Sequence, residues 1–363
     1  MFLRGGPAHS TRSSRCAKHK LRKGSLTLNR VSENSNFPYD VRPRKFSFLG
    51  ILSLATKNDN IAMSDEFYTA SMAALISLQV TPTDLDSGEL EAKQASLFAN
   101  LQSLDQVVVA YSGGTDSAYL AWAAHRVLGN AAVAITADSP SIPESHKRDA
   151  EQFARDCGFR HEYIATQEFE NPDYVKNDKD RCFYCKDELF VRLEAYAAGH
   201  GQAHIVYGVN KDDLGDYRPG QRAAKIHQVK APLVEANLTK AEIRELSRRA
   251  GLSVWDRPAA ACLSSRVPYG TPVTVETIKT IEQGEEAIRA LGFRQFRVRF
   301  HGELVRIEIA KEELPKAFTA ESAQAFAAIF KRLGFLYVTL DLEGYRQGSL
   351  NAGLGNSVRR ADA

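Results

Sequence analysis

The chain contains few cysteines and no long apolar segment. Its 363 residues include five cysteines, three methionines and two tryptophans. Five cysteines over this length are too few for a disulfide-linked scaffold, so we expect a reducing, cytoplasmic compartment. No apolar run approaches the roughly 18 residues of a membrane span, so we expect no membrane partner. The length and hydrophobic content allow two domains, each with its own core.

Basic residues are concentrated at the N-terminus. The chain has a formal net charge of +3, yet residues 1–62 contain twelve Lys or Arg and three acidic residues. The remainder is net acidic and lacks the broad basic face that nucleic acids require, so we expect no nucleic-acid partner. The basic leader is a transit peptide, a basic tail, or the product of translation begun upstream of a true start at Met63. We predict that residues 1–88 form a disordered extension.

Short apolar segments alternate with helical patterns from residue 89 onward. The segments "QVVVAYSGG", "AAVAITAD", "RHEYIA" and "AHIVYGVN" have the composition of buried strands, and "VKAPL" is a shorter fifth candidate. Helical periodicity between them predicts a doubly wound parallel α/β sheet over residues 89–270. After "RVPYGTPV" the pattern changes and predicts a smaller α+β domain over residues 271–363.

The strongest local signal is "AYSGGTDSAYL", in which an apolar strand turns into a helix. The turn consists of Ser112, Gly113, Gly114, Thr115, Asp116 and Ser117. Backbone N–H groups and a helix N-terminus converge at such a turn and bind an anion. A carboxylate beside a phosphate indicates a bound Mg²⁺ at Asp116, or a role for Asp116 in steadying the loop. Asp138 ends the second strand, where open α/β sheets bind ligands.

Three cysteines allow more than one chemistry. Cys182 and Cys185 form a C-x-x-C pair in "RCFYCK", and Cys262 lies among small residues in "PAAACLSSR". A structural zinc site needs four ligands, and this pair supplies two. The pair alone could be two unliganded thiols, whereas the three cysteines together suit a [4Fe–4S] cluster with one open iron. We expect Cys157 to serve packing only.

Several polar side chains are candidates for contacts with an anionic substrate. Arg218 lies in the charged segment that follows the fourth strand, and Ser265 and Arg266 follow Cys262. Arg297 and Arg299 alternate along a C-terminal strand, so they share one face and could clamp a phosphate together. A solvated protein surface is the alternative interpretation of both charged segments.

Six segments occur in the order in which one family has them: "AYSGGTDSAYL", "RCFYCK", "GVNKDDLGDYRPG", "LTKAEIRELSRRAGL", "WDRPAAACLSSRVPYG" and "YRQGSLN". Residues 95–352 thereby resemble the ATP-dependent sacrificial sulfur transferases of the LarE family, in the ATP-pyrophosphatase (PP-loop) superfamily. The resemblance implies an adenine nucleotide alpha hydrolase-like fold with ATP and Mg²⁺ bound at residues 112–117 and Asp138. It also implies that the carboxylates of pyridinium-3,5-biscarboxylic acid mononucleotide become thiocarboxylates in nickel-pincer nucleotide synthesis.

The resemblance further implies a sulfur source. Cys262 matches the family's sulfur-bearing cysteine, which becomes dehydroalanine when its sulfur is transferred. Other members have three cysteines and are linked to a [4Fe–4S] cluster, which Cys182, Cys185 and Cys262 would ligate here. The cluster is our preferred expectation. Family members often place the small domain at an oligomer interface, so we also expect a homo-oligomer.

Three other functions fit part of the pattern. A PP-loop tRNA thiolase also combines such a loop with three cysteines, but it requires a basic RNA-binding surface. An amide-forming ligase of the NAD or GMP synthetase type uses ammonia and leaves the C-x-x-C pair unexplained. A non-catalytic nucleotide-binding regulator would not cleave ATP to AMP and pyrophosphate.

Overall fold

Two β-sheets with helices packed on them form the part of the chain that the computed structural model describes, residues 86–201, 204–215, 219–258 and 261–346. The strands are β1 Val107–Ala110, β2 Ala132–Asp138, β3 His161–Ala165, β4 His204–Tyr207, β5 Phe296–His301, β6 Leu304–Ile309 and β7 Tyr337–Leu340. The predictions for the leader, including Met63, and for Arg218 lie outside the described residues.

The helices connect and cover these strands. They are α1 Ser87–Gln102, α2 Thr115–Leu128, α3 Glu144–Cys157, α4 Pro172–Val175, α5 Arg181–Gly199, α6 Pro219–Ile226, α7 Pro232–Glu235, α8 Lys240–Arg249, α9 Val275–Ala290, α10 Leu314–Ala317 and α11 Ala320–Arg332. Among the residues described, no helix combines the length and apolar character needed to cross a membrane.

The first sheet is parallel and has the strand order β3-β2-β1-β4. Successive β1 residues point to opposite faces, so Val107 and Val109 pack into the cluster that includes α2 and α3 residues. Val108 and Ala110 pack on the other face, against residues of α5 and α6. Helices therefore cover both faces, and the predicted α/β class with a parallel sheet is confirmed.

The strand order reverses beside β1, because β2 and β3 lie on one side of it and β4 on the other. Ligands of open α/β sheets bind at the carboxyl ends of the strands, where the order reverses. The glycine-containing turn 112–117 directly follows β1 and so lies at this position.

The second sheet has the order β5-β6-β7, with an antiparallel and a parallel pair. Val298, Val305 and Ile307 on one face pack with Ile281 and Phe330 of the covering helices. The opposite face carries charged side chains, with Arg297 paired across from Glu308 and Arg299 across from Arg306. The division of the chain at residues 88 and 270 stays a prediction.

One predicted element is wrong, and several helices were not predicted in full. The segment "VKAPL" contributes only an isolated bridge between Val206 and Lys230, because Pro232 begins helix α7 immediately afterwards. A helix start at the C-x-x-C pair was one interpretation of the sequence, but the full extent of α5 was not predicted, and the helices α4, α6 and α7 were not predicted at all.

Candidate functional site

The turn after β1 requires glycine at its centre. Gly113 has a φ of 72°, and a Cβ on it would lie 2.9 Å from the Cβ of Ala150 on α3. Gly114 is the N-cap of α2 and has an extended backbone. The first N–H groups of a helix have no partner within the helix, so the turn presents donors of the kind that bind phosphate.

Hydroxyl groups stabilise the turn from within. The Oγ atoms of Ser112 and Ser117 lie 3.0 Å apart, and Ser117 Oγ also donates to the Gly114 carbonyl at 3.0 Å. Thr115 Oγ1 is buried and donates to the carbonyl of Val254 at 2.9 Å. Thr115 thus anchors the turn to the chain segment that leads toward Cys262, while Ser112 is exposed.

Gly208 packs directly against the start of α2. It follows β4, and a Cβ at this position would lie 2.7 Å from the backbone N of Ser117 and 2.8 Å from its Cα. No role was predicted for Gly208 from the sequence. The available signal was a glycine at the end of a strand, which often marks close approach of another backbone segment.

We expect Gly208→Ala to lower the free energy of unfolding by about 1–3 kcal/mol and to weaken ATP binding, because the added methyl group displaces the turn. Urea denaturation and ATP titration measure the two effects. Gly199→Ala is the matched control, since a Cβ at Gly199 meets nothing within 4 Å. Equal behaviour of the two variants would contradict the packing argument.

Asp116 lies in the first turn of α2 and forms an ion pair with Lys240, the first residue of α8. Lys240 Nζ lies 2.6 Å from Asp116 Oδ2. Asp116 Oδ1 is buried and accepts no hydrogen bond of full geometric quality from the described residues. Burial raises the pKa of Asp116, and the charge of Lys240 and the nearby Asn210 side chain partly offset this rise. A buried carboxylate oxygen without a partner is a suitable ligand for a cation.

Two hydrogen bonds tie the glycine turn and its sheet edge to the segment that carries Cys262. Arg257 Nη1 donates to the Gly113 carbonyl at 2.7 Å. The backbone N of Leu263 donates to the carbonyl of Ser141, in the loop after β2, at 2.8 Å. The cysteine segment therefore crosses the carboxyl edge of the parallel sheet. No role was predicted for Arg257, although it lies in the segment "WDRPAAACLSSR".

The three predicted cluster ligands are near enough to one another to interact electrostatically. Cys182 and Cys185 lie in the first turns of α5, and Cys262 is the N-cap of the short 3₁₀ helix Leu263–Arg266. Burial raises the pKa of the Cys185 thiol and, although the Cys182 residue is exposed overall, of the Cys182 thiol as well, and the charge of Cys262 contributes to both rises. Such a contribution requires neighbouring groups. Across the described parts of the chain, however, no three His, Cys, Asp or Glu residues form a group that could hold a single metal ion.

Arg266 is engaged within the protein rather than directed at a ligand. Its side chain is 2% exposed, and it binds both carboxylate oxygens of Glu285, at 2.8 and 2.9 Å. Its Nη1 donates to the carbonyls of Ala261 and Cys262, at 2.9 Å each. These bonds fix the backbone at Cys262, and the predicted contact of Arg266 with substrate stays a prediction. Ser265 Oγ donates to the same Cys262 carbonyl at 2.7 Å.

Arg297 and Arg299 lie on one face of β5, as their spacing predicted. Arg299 is buried, and its guanidinium donates to the Ser265 carbonyl at 2.9 Å and to Glu308 at 2.8 Å. Burial lowers the pKa of Arg297, and the charge of Arg266 lowers it further. Glu285 and Glu308 compensate part of the positive charge of Arg266, Arg297 and Arg299 behind the cysteine segment.

Asp138 is held by an ion pair at the end of β2. The buried Lys147 lies 2.6 Å from Asp138 and 2.7 Å from Glu144. This pair places the Asp138 carboxylate at the same sheet edge as the glycine turn, one strand away. No role was predicted for Lys147.

The chain is similar to three curated proteins. It is 36% identical over 264 residues to the pyridinium-3,5-bisthiocarboxylic acid mononucleotide synthase of Lactiplantibacillus plantarum, a match that covers 72% of this chain and 95% of that protein. It is 44% identical over 262 residues to an uncharacterized protein of Synechocystis, covering 72% and 98%. A third match, to an uncharacterized protein of Methanocaldococcus jannaschii, is 28% identical over 241 residues and covers 66% and 91%. No protein-family model matches the chain.

Proposed function

Because the chain belongs to the LarE family of pyridinium-3,5-bisthiocarboxylic acid mononucleotide synthases, we propose that it is an ATP-dependent sulfur transferase. Its substrate is pyridinium-3,5-biscarboxylic acid mononucleotide, whose carboxylates it adenylates and converts to thiocarboxylates. One observation carries the proposal. Arg257 donates to Gly113 of the glycine turn, and Leu263 donates to Ser141 at the same sheet edge. These contacts support a position of the Cys262 sulfur atom near a nucleotide held by the turn.

In this proposal the glycine turn binds ATP. The N–H groups of residues 112–117 and the hydroxyls of Ser112 and Ser117 hold the pyrophosphate portion, and Asp138 contacts the nucleotide one strand away. A substrate carboxylate oxygen attacks the α-phosphorus, the bond to the bridging oxygen breaks, and pyrophosphate leaves. The resulting acyl-adenylate carries AMP, which leaves far more readily than an oxygen of the free carboxylate.

The residues around Asp116 fit a magnesium ion. Asp116 has a buried oxygen without a hydrogen bond, and Asp213 is near enough for its charge to raise the pKa of Asp116. Mg²⁺ is usually held by one or two carboxylates together with substrate phosphates. When bound, it offsets the negative charge of the triphosphate. Asp116 would orient it from the first turn of α2.

Cys262 is the reacting residue in the first of two sulfur routes. Its thiolate attacks the acyl carbon, AMP leaves and a thioester forms. Loss of the Cα proton then breaks the Cβ–S bond, which leaves dehydroalanine in the chain and the thiocarboxylate as product. In this route each chain transfers one sulfur atom.

In the second route, Cys182, Cys185 and Cys262 would hold a [4Fe–4S] cluster, which would supply a labile sulfide to the acyl group as AMP leaves. The charge of Cys262 contributes to the raised pKa of both other thiols, which supports this route. A cluster of four irons accepts thiolates that stand farther apart than the ligands of one ion. The cluster route is the one we propose first.

The mononucleotide phosphate would be bound by Arg297 and Arg299, with Ser265 beside it. The lowered pKa of Arg297, caused by burial and by the charge of Arg266, reflects crowded positive charge that an anion relieves. Arg299 reaches the Ser265 carbonyl, so a phosphate at this face lies close to the cysteine segment. A homo-oligomer that completes this site stays a prediction.

Turnover by protein purified without air tests the proposal. We expect AMP and pyrophosphate to be released only when the pyridinium substrate is present, by a brown protein with about four irons per chain. The intact mass should be unchanged after turnover. A colourless protein lighter by about one H₂S would show that Cys262 is sacrificed instead. Pyrophosphate release at the same rate with and without the pyridinium substrate would contradict the proposed sulfur transfer.

A further inference from the structure

Lys240 connects two helices whose N-termini meet at the glycine turn. It is the first residue of α8, where its backbone N donates to Asp212 Oδ2 at 2.8 Å. Its side chain reaches α2, and Nζ lies 2.6 Å from Asp116 Oδ2. The proposed function gives a role to Asp116 and none to Lys240.

The Lys240 ammonium and a metal ion would compete for the carboxylate of Asp116. Burial raises its pKa, and its Oδ1 has no hydrogen-bond partner among the described residues. A carboxylate in this position needs a positive neighbour to remain ionised. Lys240 supplies that charge in the structure.

Lys240 and Asp116 are accessible enough for each to leave the other and take a new partner. The side chains of Lys240 and Asp116 are 34% and 19% exposed, so solvent reaches part of both side chains while Asp116 Oδ1 itself is buried. The lysine stem is flexible, and Nζ can move to a new anionic partner without displacing the backbone. The Arg266 and Glu285 side chains, at 2% and 6% exposure, have no such freedom.

We propose that the Lys240 ammonium binds Asp116 when no divalent metal is present. When the metal binds Asp116, the ammonium moves to the phosphates of a nucleoside triphosphate. This inference rests on the proposed function, because it requires a nucleotide in the glycine turn. A metal ion alone must displace the lysine, whereas a metal ion with nucleotide gives the lysine a new anionic partner. Metal and nucleotide therefore bind cooperatively, and Lys240 provides part of the coupling.

Lys240→Met tests the inference through two binding measurements at pH 8. Mn²⁺ binding without nucleotide, measured by loss of the free-ion EPR signal, should tighten about threefold to tenfold because no ammonium competes. ATP binding in EDTA, measured by equilibrium dialysis, should weaken about tenfold because the Asp116 carboxylate, no longer neutralised by the lysine, repels the phosphates. The two effects have opposite signs, whereas misfolding would weaken both.

Lys93→Met is the matched control. Lys93 also bridges to α8, through Glu242 at 2.7 Å, but from α1, so both affinities should stay within about twofold of the wild type. The inference fails if Lys240→Met leaves Mn²⁺ binding or metal-free ATP binding unchanged while the wild type binds ATP. A wild-type protein that binds no ATP under any condition would refute the proposed function, and the inference with it.

Discussion

Replacing Cys262 with alanine should abolish thiocarboxylate formation, by at least about 10³-fold, because both sulfur routes require its thiolate. Release of pyrophosphate should continue for one turnover, since adenylation depends on the glycine turn and not on the sulfur. Mass spectrometry of the pyridinium product and an assay of pyrophosphate separate the two steps. Loss of both steps in a folded variant would contradict the assignment of Cys262 to sulfur transfer.

Two further cysteine variants sharpen this result. Cys157→Ala is the matched control, because Cys157 ends α3, packs against the core, and has a pKa that burial raises to about 11. It should transfer sulfur normally. Cys182→Ala should lose repeated turnover if a cluster supplies the sulfide, and should retain a single turnover if Cys262 is sacrificed. Normal cycling of Cys182→Ala would reject the cluster route.

The parallel sheet could be predicted from the sequence because its signals are local. Each strand is a short apolar run bounded by turn residues, and helical periodicity between runs implies parallel pairing. For helix α5, one interpretation of the sequence indicated only a helix start at "RCFYCK", and the extent of the helix to Gly199 was not predicted. Helix α6 begins with Pro219 and Gly220, residues that more often indicate a turn.

The candidate site could be predicted only where its residues are contiguous. Residues 112–117 form one turn, so their role follows from their order. The contacts that hold this turn join residues far apart in sequence: Lys240 with Asp116, Arg257 with Gly113, and Gly208 against Ser117. The hydrophobic periodicity of the sequence does not reveal contacts between residues so far apart in the chain. An arginine beside a reactive cysteine suggests a substrate contact, and only the fold shows that Glu285 engages Arg266.

The Arg266–Glu285 pair leads to the largest expected effect on stability. Arg266→Met should lower the free energy of unfolding by about 3–5 kcal/mol, because it leaves the buried charge of Glu285 with only the Val298 N–H and the charge of Arg297 to compensate it. Burial opposes ionisation of Glu285, yet Arg266 holds its pKa below the usual range. Without Arg266, burial would raise that pKa. Protonation of Glu285 would then remove the buried charge from the folded state. The loss of unfolding free energy relative to the wild type should therefore shrink as the pH falls from 8 to 5.

Denaturant unfolding across this pH range, with two companion variants, separates the buried charge from a general packing defect. Arg266→Met combined with Glu285→Leu removes both charges and should recover most of the lost stability. It should not recover sulfur transfer, because the carbonyls of Ala261 and Cys262 still lack their donor. Arg148→Met, which breaks an exposed pair with Glu286, should cost less than about 1 kcal/mol. Two results would mean that lost packing outweighs the unpaired charge of Glu285. One is a loss of unfolding free energy in Arg266→Met that does not vary with pH, and the other is a double variant as unstable as the single one.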